Sequence, residues 1–265
     1  VMLKVNGIKK TFSPGTVNEK RAIKEITFHI APSDFMTVIG GNGAGKSTML
    51  NAIAGMFKVD TGSIIINGID VTKLPEYKRA SHIGRVFQDT RMGTASDMTI
   101  EENMAMALRR GKPRGLRKGI TKAERSLFRE RLEILDLGLE NRMTAKTGLL
   151  SGGQRQALTL LMATVTKPEL LLLDEHTAAL DPKTAKKVLE LTNQIITEDK
   201  LTALMITHNM QDALRLGNRL MMLHKGRVLI DLQTEEKKNL KVADLLKMFE
   251  KASGTGMTND KMLLG

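Results

Sequence analysis

Cysteine and tryptophan are absent from this 265-residue chain, and tyrosine occurs once, at Tyr77. Without cysteine there is no disulfide framework and no thiolate metal centre. Aromatic residues make up 3% of the chain, too few for the stacking platforms that hold single-stranded nucleic acid. No nucleic-acid partner is therefore expected. Long apolar runs are missing as well. Leu170 to Leu173 falls far short of the ~20 residues that cross a bilayer as a helix, and it reads as a buried strand. The opening Val1-Met2-Leu3-Lys4-Val5 lacks the basic-then-apolar layout of a secretory leader. A cytoplasmic location is the expectation.

What is present is ordinary in amount and uneven in charge. Hydrophobic residues are 41% of the chain, enough to bury a sizeable core. The net charge of +12 favours anionic partners, whether nucleotide, phospholipid or nucleic acid.

The first third reads as strands and turns. Glu25 to Ile30 alternates as a half-buried strand does. Phe35 to Ile39 is an apolar run ending in glycine, Gly62 to Gly68 ends in an Asn-Gly hairpin signal, and Ile83 to Phe87 is another short strand. Helix formers then dominate from about Ile100 to Leu139. One helix is expected from Glu101 to Leu108, capped by Thr99 or Asp97, and another from Lys122 to Leu137. Between them Arg109 to Lys118 is basic, with two glycines and a proline, and reads as a loop. After residue 150 helices alternate with apolar strands at Leu170 to Leu173 and Leu204 to Ile206, the pattern of a parallel sheet covered on both faces. Arg219 to Asp231 reads as a hairpin turning at Lys225-Gly226. A charged helical tail follows from Thr234 and frays at Ser253 to Gly256.

Gly40-Gly41-Asn42-Gly43-Ala44-Gly45-Lys46-Ser47-Thr48 matches the phosphate-loop pattern G-x-x-x-x-G-K-[ST]. It follows an apolar strand and precedes a helical segment, Met49 to Met56, as the motif requires. Its glycines let successive N–H groups face one concavity where phosphate oxygens sit, and the helix N-terminus adds its positive end. Lys46 would reach the β- and γ-phosphates, and Ser47 would offer a hydroxyl to Mg²⁺. A chance glycine-rich turn does not require Lys-Ser and both flanks. Asp174 and Glu175 follow the leucine run, at the strand edge where open α/β sheets bind ligands. Asp174 would hold the Mg²⁺ shell, and Glu175 would polarise the attacking water or accept its proton. Neighbouring strand residues point opposite ways, so the two carboxylates can do different work.

Leu150-Ser151-Gly152-Gly153-Gln154 leads into a helix from Ala157 to Thr164. It is a second anion site in outline: a hydroxyl, two glycines and a helix N-terminus. A plain N-capped helix would not need this pentapeptide. With it the chain, from about residue 2 to 232, resembles the ATP-binding cassette (ABC) ATPases, whose signature is LSGGQ. The resemblance implies an α/β fold, a P-loop NTPase core of the ABC type with an N-terminal antiparallel β-subdomain and an inserted α-helical subdomain. Core and β-subdomain are expected over 1–90 and 163–232, the helical subdomain with the signature over 91–162, and a short helical tail over 233–265. No internal repeat is visible, so a single cassette is expected.

The same resemblance assigns further residues. Phe12 stacks on adenine, where tyrosine is commoner. Gln88 joins the catalytic site to the helical lobe and shares Mg²⁺ with Ser47 and Asp174. Ala179-Leu180-Asp181 is the D-loop. His208 contacts the γ-phosphate and helps orient water, where a lone histidine after a strand would otherwise be read as structural. It implies MgATP as cofactor and a head-to-tail homodimer, in which Ser151, Gly152, Gly153 and Gln154 of one copy close on the Lys46 loop of the other. Two departures stand out. His176 replaces the usual proline and is expected to loosen its loop, and the helix after the signature lacks its usual basic residue.

These features resemble stand-alone subunits of binding-protein-dependent importers, with amino acids as a substrate class. The implied activity is ATP hydrolysis coupled to transport through a separate transmembrane permease, with a solute-binding lipoprotein as a possible component, at the inner face of the cell membrane. The alternatives are a soluble ABC ATPase acting on nucleic acid or ribosomes, or one in iron–sulfur cluster assembly. The basic loop is either a solvated insertion or a contact for anionic headgroups. The 17 methionines read as core filler, with Met104 and Met106 near where relatives dock a permease. Tyr77, His29, His82 and His224 carry no functional signal.

Overall fold

The computed structural model describes residues 1–112 and 119–254. The readings of Pro113 to Lys118 and of Thr255 onward lie outside the described residues. The chain forms two compact units, Val1–Arg79 with Lys200–Gly265, and Ala80–Asp199. The first unit opens with β1 (Leu3–Phe12), β2 (Lys20–Ile30), β3 (Phe35–Ile39), α1 (Lys46–Ala54), β4 (Thr61–Ile66), β5 (Ile69–Asp70) and α2 (Glu76–Arg79). The second holds β6 (Ile83–Val86), α3 (Ile100–Leu108), α4 (Lys122–Glu133), α5 (Gly152–Thr164), β7 (Leu170–Asp174) and α6 (Pro182–Glu198). The chain returns to the first unit with β8 (Ala203–Ile206), α7 (Met210–Arg215), β9 (Arg219–His224), β10 (Arg227–Leu232), α8 (Thr234–Lys237) and α9 (Val242–Ser253).

The first unit is a mixed sheet in the order β5-β4-β1-β2-β10-β9-β3-β8. Its outer part is antiparallel, with β1 between β2 and β4. Its inner part is parallel, with β3 between β9 and β8. The burial patterns explain the division. Along β2, Ile26, Phe28 and Ile30 are buried while Thr27 and His29 are exposed, the alternation of a strand with one wet face. All five residues of β3 are buried, as a strand covered on both faces requires. On α9, Leu245 and Phe249 lie one turn apart and pack into a cluster with Ile39, Leu220, Met222, Ile230 and Leu232. Met36, Met49, Met210, Met221 and Met222 are buried here too, in keeping with their reading as filler.

Two buried cations serve as helix C-terminal caps in this unit. Arg79, at 2% exposure, donates to the carbonyls of Ala52 and Ile53 at the end of α1, and to those of Thr72 and Leu74. Gly55 ends α1 in the left-handed region, and a Cβ there would meet Arg79 Nε at 2.8 Å. Lys237 donates to the carbonyls of Leu216 and Gly217 just past α7, and burial pulls its pKa down to about 8.

In the second unit β6 and β7 run parallel, with Val86 beside Leu173. Thr99, not Asp97, caps α3 in a reciprocal box with Glu102, and Thr121 caps α4 with Glu124 in the same way. Helix α4 ends at Glu133, four residues before the expected end. Asp136 and Gly138 beyond it both take positive φ, which a helix cannot contain. Arg125 of α4 forks onto Glu101 of α3 at 2.8 and 3.0 Å. Arg109 and Arg110, two members of the basic loop, are engaged internally. Arg109 pairs with Glu124 at 2.9 Å, and Arg110 donates to Ala163 O and Thr166 Oγ1 at the end of α5. A headgroup contact is thus not where these two charges go. Among the described residues no helix is long and apolar enough to cross a membrane.

Candidate functional site

The phosphate loop leaves β3 and enters α1. Gly40 has φ +150 and Gly45 has φ +103, values open to glycine and costly for any residue with a Cβ. The space is also closed. A Cβ on Gly40 would meet Leu223 O at 2.3 Å, and one on Gly45 would meet Ala22 O at 2.8 Å. The loop is braced from behind by the β9–β10 turn, whose Gly226 N–H donates to Ala44 O at 2.9 Å. Lys46 is buried, and its Nζ donates to Gly40 O at 2.6 Å, so the ammonium lies back over its own loop. Gly45 caps α1 without any side-chain bond to the helix N-terminus.

His208 arrives at the same edge. In the β3–β8 register Val38 sits beside Ile206. Gly40 and His208 each lie two residues further on, and His208 is exposed there. Phe12, at the end of β1, packs edge-on to Phe57 with centroids 5.2 Å apart. Lys10 Nζ lies 5.5 Å from the Phe12 centroid and is held by Asp60 at 3.0 Å. Phe57 and Lys10 were not legible as neighbours of Phe12, because the pairing of β4 with β1, which brings residue 57 to that strand, leaves no mark at either position.

In the second unit the β6–β7 register does for Gln88 and Glu175 what β3–β8 does in the first. Val86 is beside Leu173, and Gln88 and Glu175 each follow two residues later in the chain. Arg85 Nη2 lies 3.8 Å from Asp174 Oδ2, and its guanidinium covers the Phe87 ring at 4.5 Å. Sequence reasoning missed Arg85, since a charge inside a short strand reads as one of its wet positions. Gln156 of α5 is fully buried and donates to Phe87 O at 3.1 Å, tying the signature helix to the segment that carries Gln88.

The signature turn is a reciprocal cap. Ser151 Oγ accepts from Gln154 N–H at 3.3 Å, and Gln154 Oε1 accepts from Ser151 N–H at 3.1 Å. Gly153 faces the first turn of α6, where a Cβ would meet Thr184 Cγ2 at 2.2 Å, and Gly152 faces Leu180. The signature and the D-loop are thereby brought together within this unit. Asp181 caps α6 by accepting from Thr184 N–H at 3.1 Å, and hydrogen bonds from Thr184 lower its pKa.

His176 does not loosen its loop. The ring is 2% exposed and lies 3.0 Å from Thr192 Oγ1, and desolvation lowers its pKa to about 4, which keeps it neutral. Glu175 beside it has φ +43, a left-handed conformation that costs a non-glycine residue ~1–3 kcal/mol. Among the described residues no cluster of three or more His, Cys, Asp or Glu could hold a metal ion on protein groups alone.

A glycine cradle at a helix N-terminus, backed by a lysine, together with an acidic pair ending a buried parallel strand, defines a phosphate-loop nucleoside triphosphatase. The chain belongs to the ABC transporter family, whose model matches residues 23–178. It is an ATP-binding ATPase of that type. It is 44% identical over 252 residues to a tyrosine transport ATP-binding protein of Clostridioides difficile, covering 95% of this chain and all of that one. It is 33% identical to a spermidine/putrescine import ATP-binding protein of Haemophilus influenzae across 87% of this chain, but spans only 57% of that protein's length. Among solved structures it is similar to an ATP-binding cassette described as a dimer in a post-hydrolysis state bound to ADP and Pi. There the TM-score is 0.75, at 31% identity over 88% of this chain and 99% of that one.

Proposed function

We propose that this chain is the energising subunit of a membrane importer for an amino acid, acting through a separate permease. The observation that carries the reading is the 44% identity over the full length of a tyrosine transport ATP-binding protein. Names of more distant relatives, for spermidine/putrescine and methionine import, support import as the direction. They also weigh against the nucleic-acid and iron–sulfur alternatives. The protein works at the inner face of the membrane, bound to the permease. A solute-binding protein delivers substrate from outside.

In this reading Gly40 to Thr48 bind the phosphates, Lys46 neutralises them, and Phe12 stacks on adenine. Ser47, Gln88 and Asp174 offer Mg²⁺ a hydroxyl, an amide oxygen and a carboxylate. That hard oxygen set would suit Mg²⁺. Bound Mg²⁺ neutralises charge on the phosphates. Glu175 accepts the proton of the attacking water, and His208 orients that water from the γ-phosphate side. Two copies pack head to tail, so that Ser151 to Gln154 and the D-loop Asp181 of one complete the nucleotide site of the other. Binding closes the pair and hydrolysis releases it. This difference in affinity between two conformations is what drives the permease.

Uptake of labelled amino acids tests the reading in cells whose own copy carries Lys46→Ala. Loss of high-affinity uptake of tyrosine or a related amino acid supports it. Unchanged uptake of the whole set, with hydrolysis abolished in the purified variant, would overturn the transport assignment and leave the ATPase standing.

A further inference from the structure

Between the carboxylate pair and α6 the chain makes a tight loop. Ala178 N–H donates to Glu175 O at 3.0 Å, and Leu180 N–H to Thr177 O at 3.1 Å. Glu175 and Thr177 are half-buried and Ala178 and Ala179 are exposed, whereas His176 between them is buried. Its ring reaches deep into α6, where Nε2 lies 3.0 Å from Thr192 Oγ1. Thr192 is fully buried, and its hydroxyl donates to Val188 O at 2.8 Å. With that proton committed, Thr192 Oγ1 accepts and His176 Nε2–H donates. A continuous line of bonds therefore runs from the loop to the backbone of α6.

The residue just before the ring is Glu175, at φ +43. A non-glycine residue stays in that region only where its surroundings over-determine it. The Ala178 bond to its carbonyl is one constraint, and the anchored ring on its C-terminal side is another. We propose that His176 and Thr192 are positioning residues for hydrolysis: their bond pins the chain immediately after Glu175 to α6 and so fixes where the Glu175 carboxylate points. The proposal rests on the assignment of Glu175 as the group that activates water. A histidine that only filled space would affect folding and nucleotide binding alike. A positioning residue affects turnover, because small displacements of a reacting group cost rate more than affinity.

The test uses the full chain with Thr192→Val, which keeps the branched shape and removes the acceptor, and His176→Phe, which keeps a ring and removes the donor. Steady-state MgATP hydrolysis and binding of a fluorescent ATP analogue are measured on each, with circular dichroism to follow folding. Each variant is expected to lower kcat about tenfold while nucleotide affinity stays within about twofold. The double variant should be no slower than either single one, because both remove the same bond. Thr192→Ser, which keeps the hydroxyl, should turn over like the parent. Unchanged kcat, losses that multiply in the double variant, equal losses in turnover and binding, or failure to fold would each overturn the proposal. Glu175→Gln, run alongside, separates the two readings. If it still hydrolyses ATP, the Glu175 assignment has failed. If it is inactive while Thr192→Val is not impaired, only the pair has failed.

Discussion

Arg79→Met keeps the length of the side chain and removes four hydrogen bonds to main-chain carbonyls, at 2.8 Å to Leu74, Ala52 and Ile53 and 3.0 Å to Thr72. Ala52 and Ile53 lie at the C-terminal end of α1, where the helix dipole favours a cation. Bonds from a charged donor contribute ~1.5–3 kcal/mol each, a gross loss on the order of 6–12 kcal/mol. Against this stands the desolvation of a guanidinium at 2% exposure, which is why burial lowers its pKa in spite of Asp70. That penalty is several kcal/mol, so the net destabilisation is about 3–5 kcal/mol. At roughly 2 °C per kcal/mol for a chain of this length, Tm should fall by roughly 6–10 °C in a thermal melt followed by circular dichroism. Arg79→Lys should recover only part of this, since an ammonium cannot present the fork that meets carbonyls on several sides. A fall under about 2 °C for Arg79→Met would refute the reasoning, because the four bonds would then be cancelled by the charge they hold.

Glu175→Gln is expected to keep MgATP binding, lose hydrolysis by at least about a hundredfold, and elute as a dimer with MgATP in gel filtration. A monomer under those conditions contradicts the head-to-tail arrangement. Phe12→Ala should raise the KM for ATP by roughly five- to a hundredfold with kcat little changed, because a stacked aromatic contributes ~1–3 kcal/mol to base binding. An unchanged KM would remove Phe12 from the nucleotide site. Lys237 has a folded pKa of about 8 against an ordinary 10.5, so the unfolded chain binds more protons between those values and stability rises with pH across that window. Relative to Lys237→Met, the parent should gain about 2 kcal/mol from pH 8 to 10.5 in urea unfolding. A flat difference would mean that the surrounding carbonyls stabilise the charged form as well as water does.

The motifs were legible because their chemistry needs fixed residue types at fixed spacing. The phosphate loop, the Asp174-Glu175 pair and Ser151 to Gln154 could each be named from the chain alone. Strands with one wet face or none were legible too, and β3 falls on the expected Phe35–Ile39. What sequence did not carry was what residues do for one another across distance. Thr192 looked like any helical threonine, and only the fold brings it to His176, whose burial reverses the expectation of a looser loop. Arg110 read as part of a solvated basic loop until its partners Ala163 and Thr166 came into reach. Helix α4 stopped short of its expected end because positive φ at Asp136 is set by the turn that follows, not by helix propensity.

The most direct test of the account is to isolate the protein from detergent-solubilised native membranes and identify by mass spectrometry what stays bound. The account predicts a multi-span permease in stoichiometric amount, accompanied by a solute-binding protein. Ribosomal, nucleic-acid or soluble scaffold partners without any permease would contradict it.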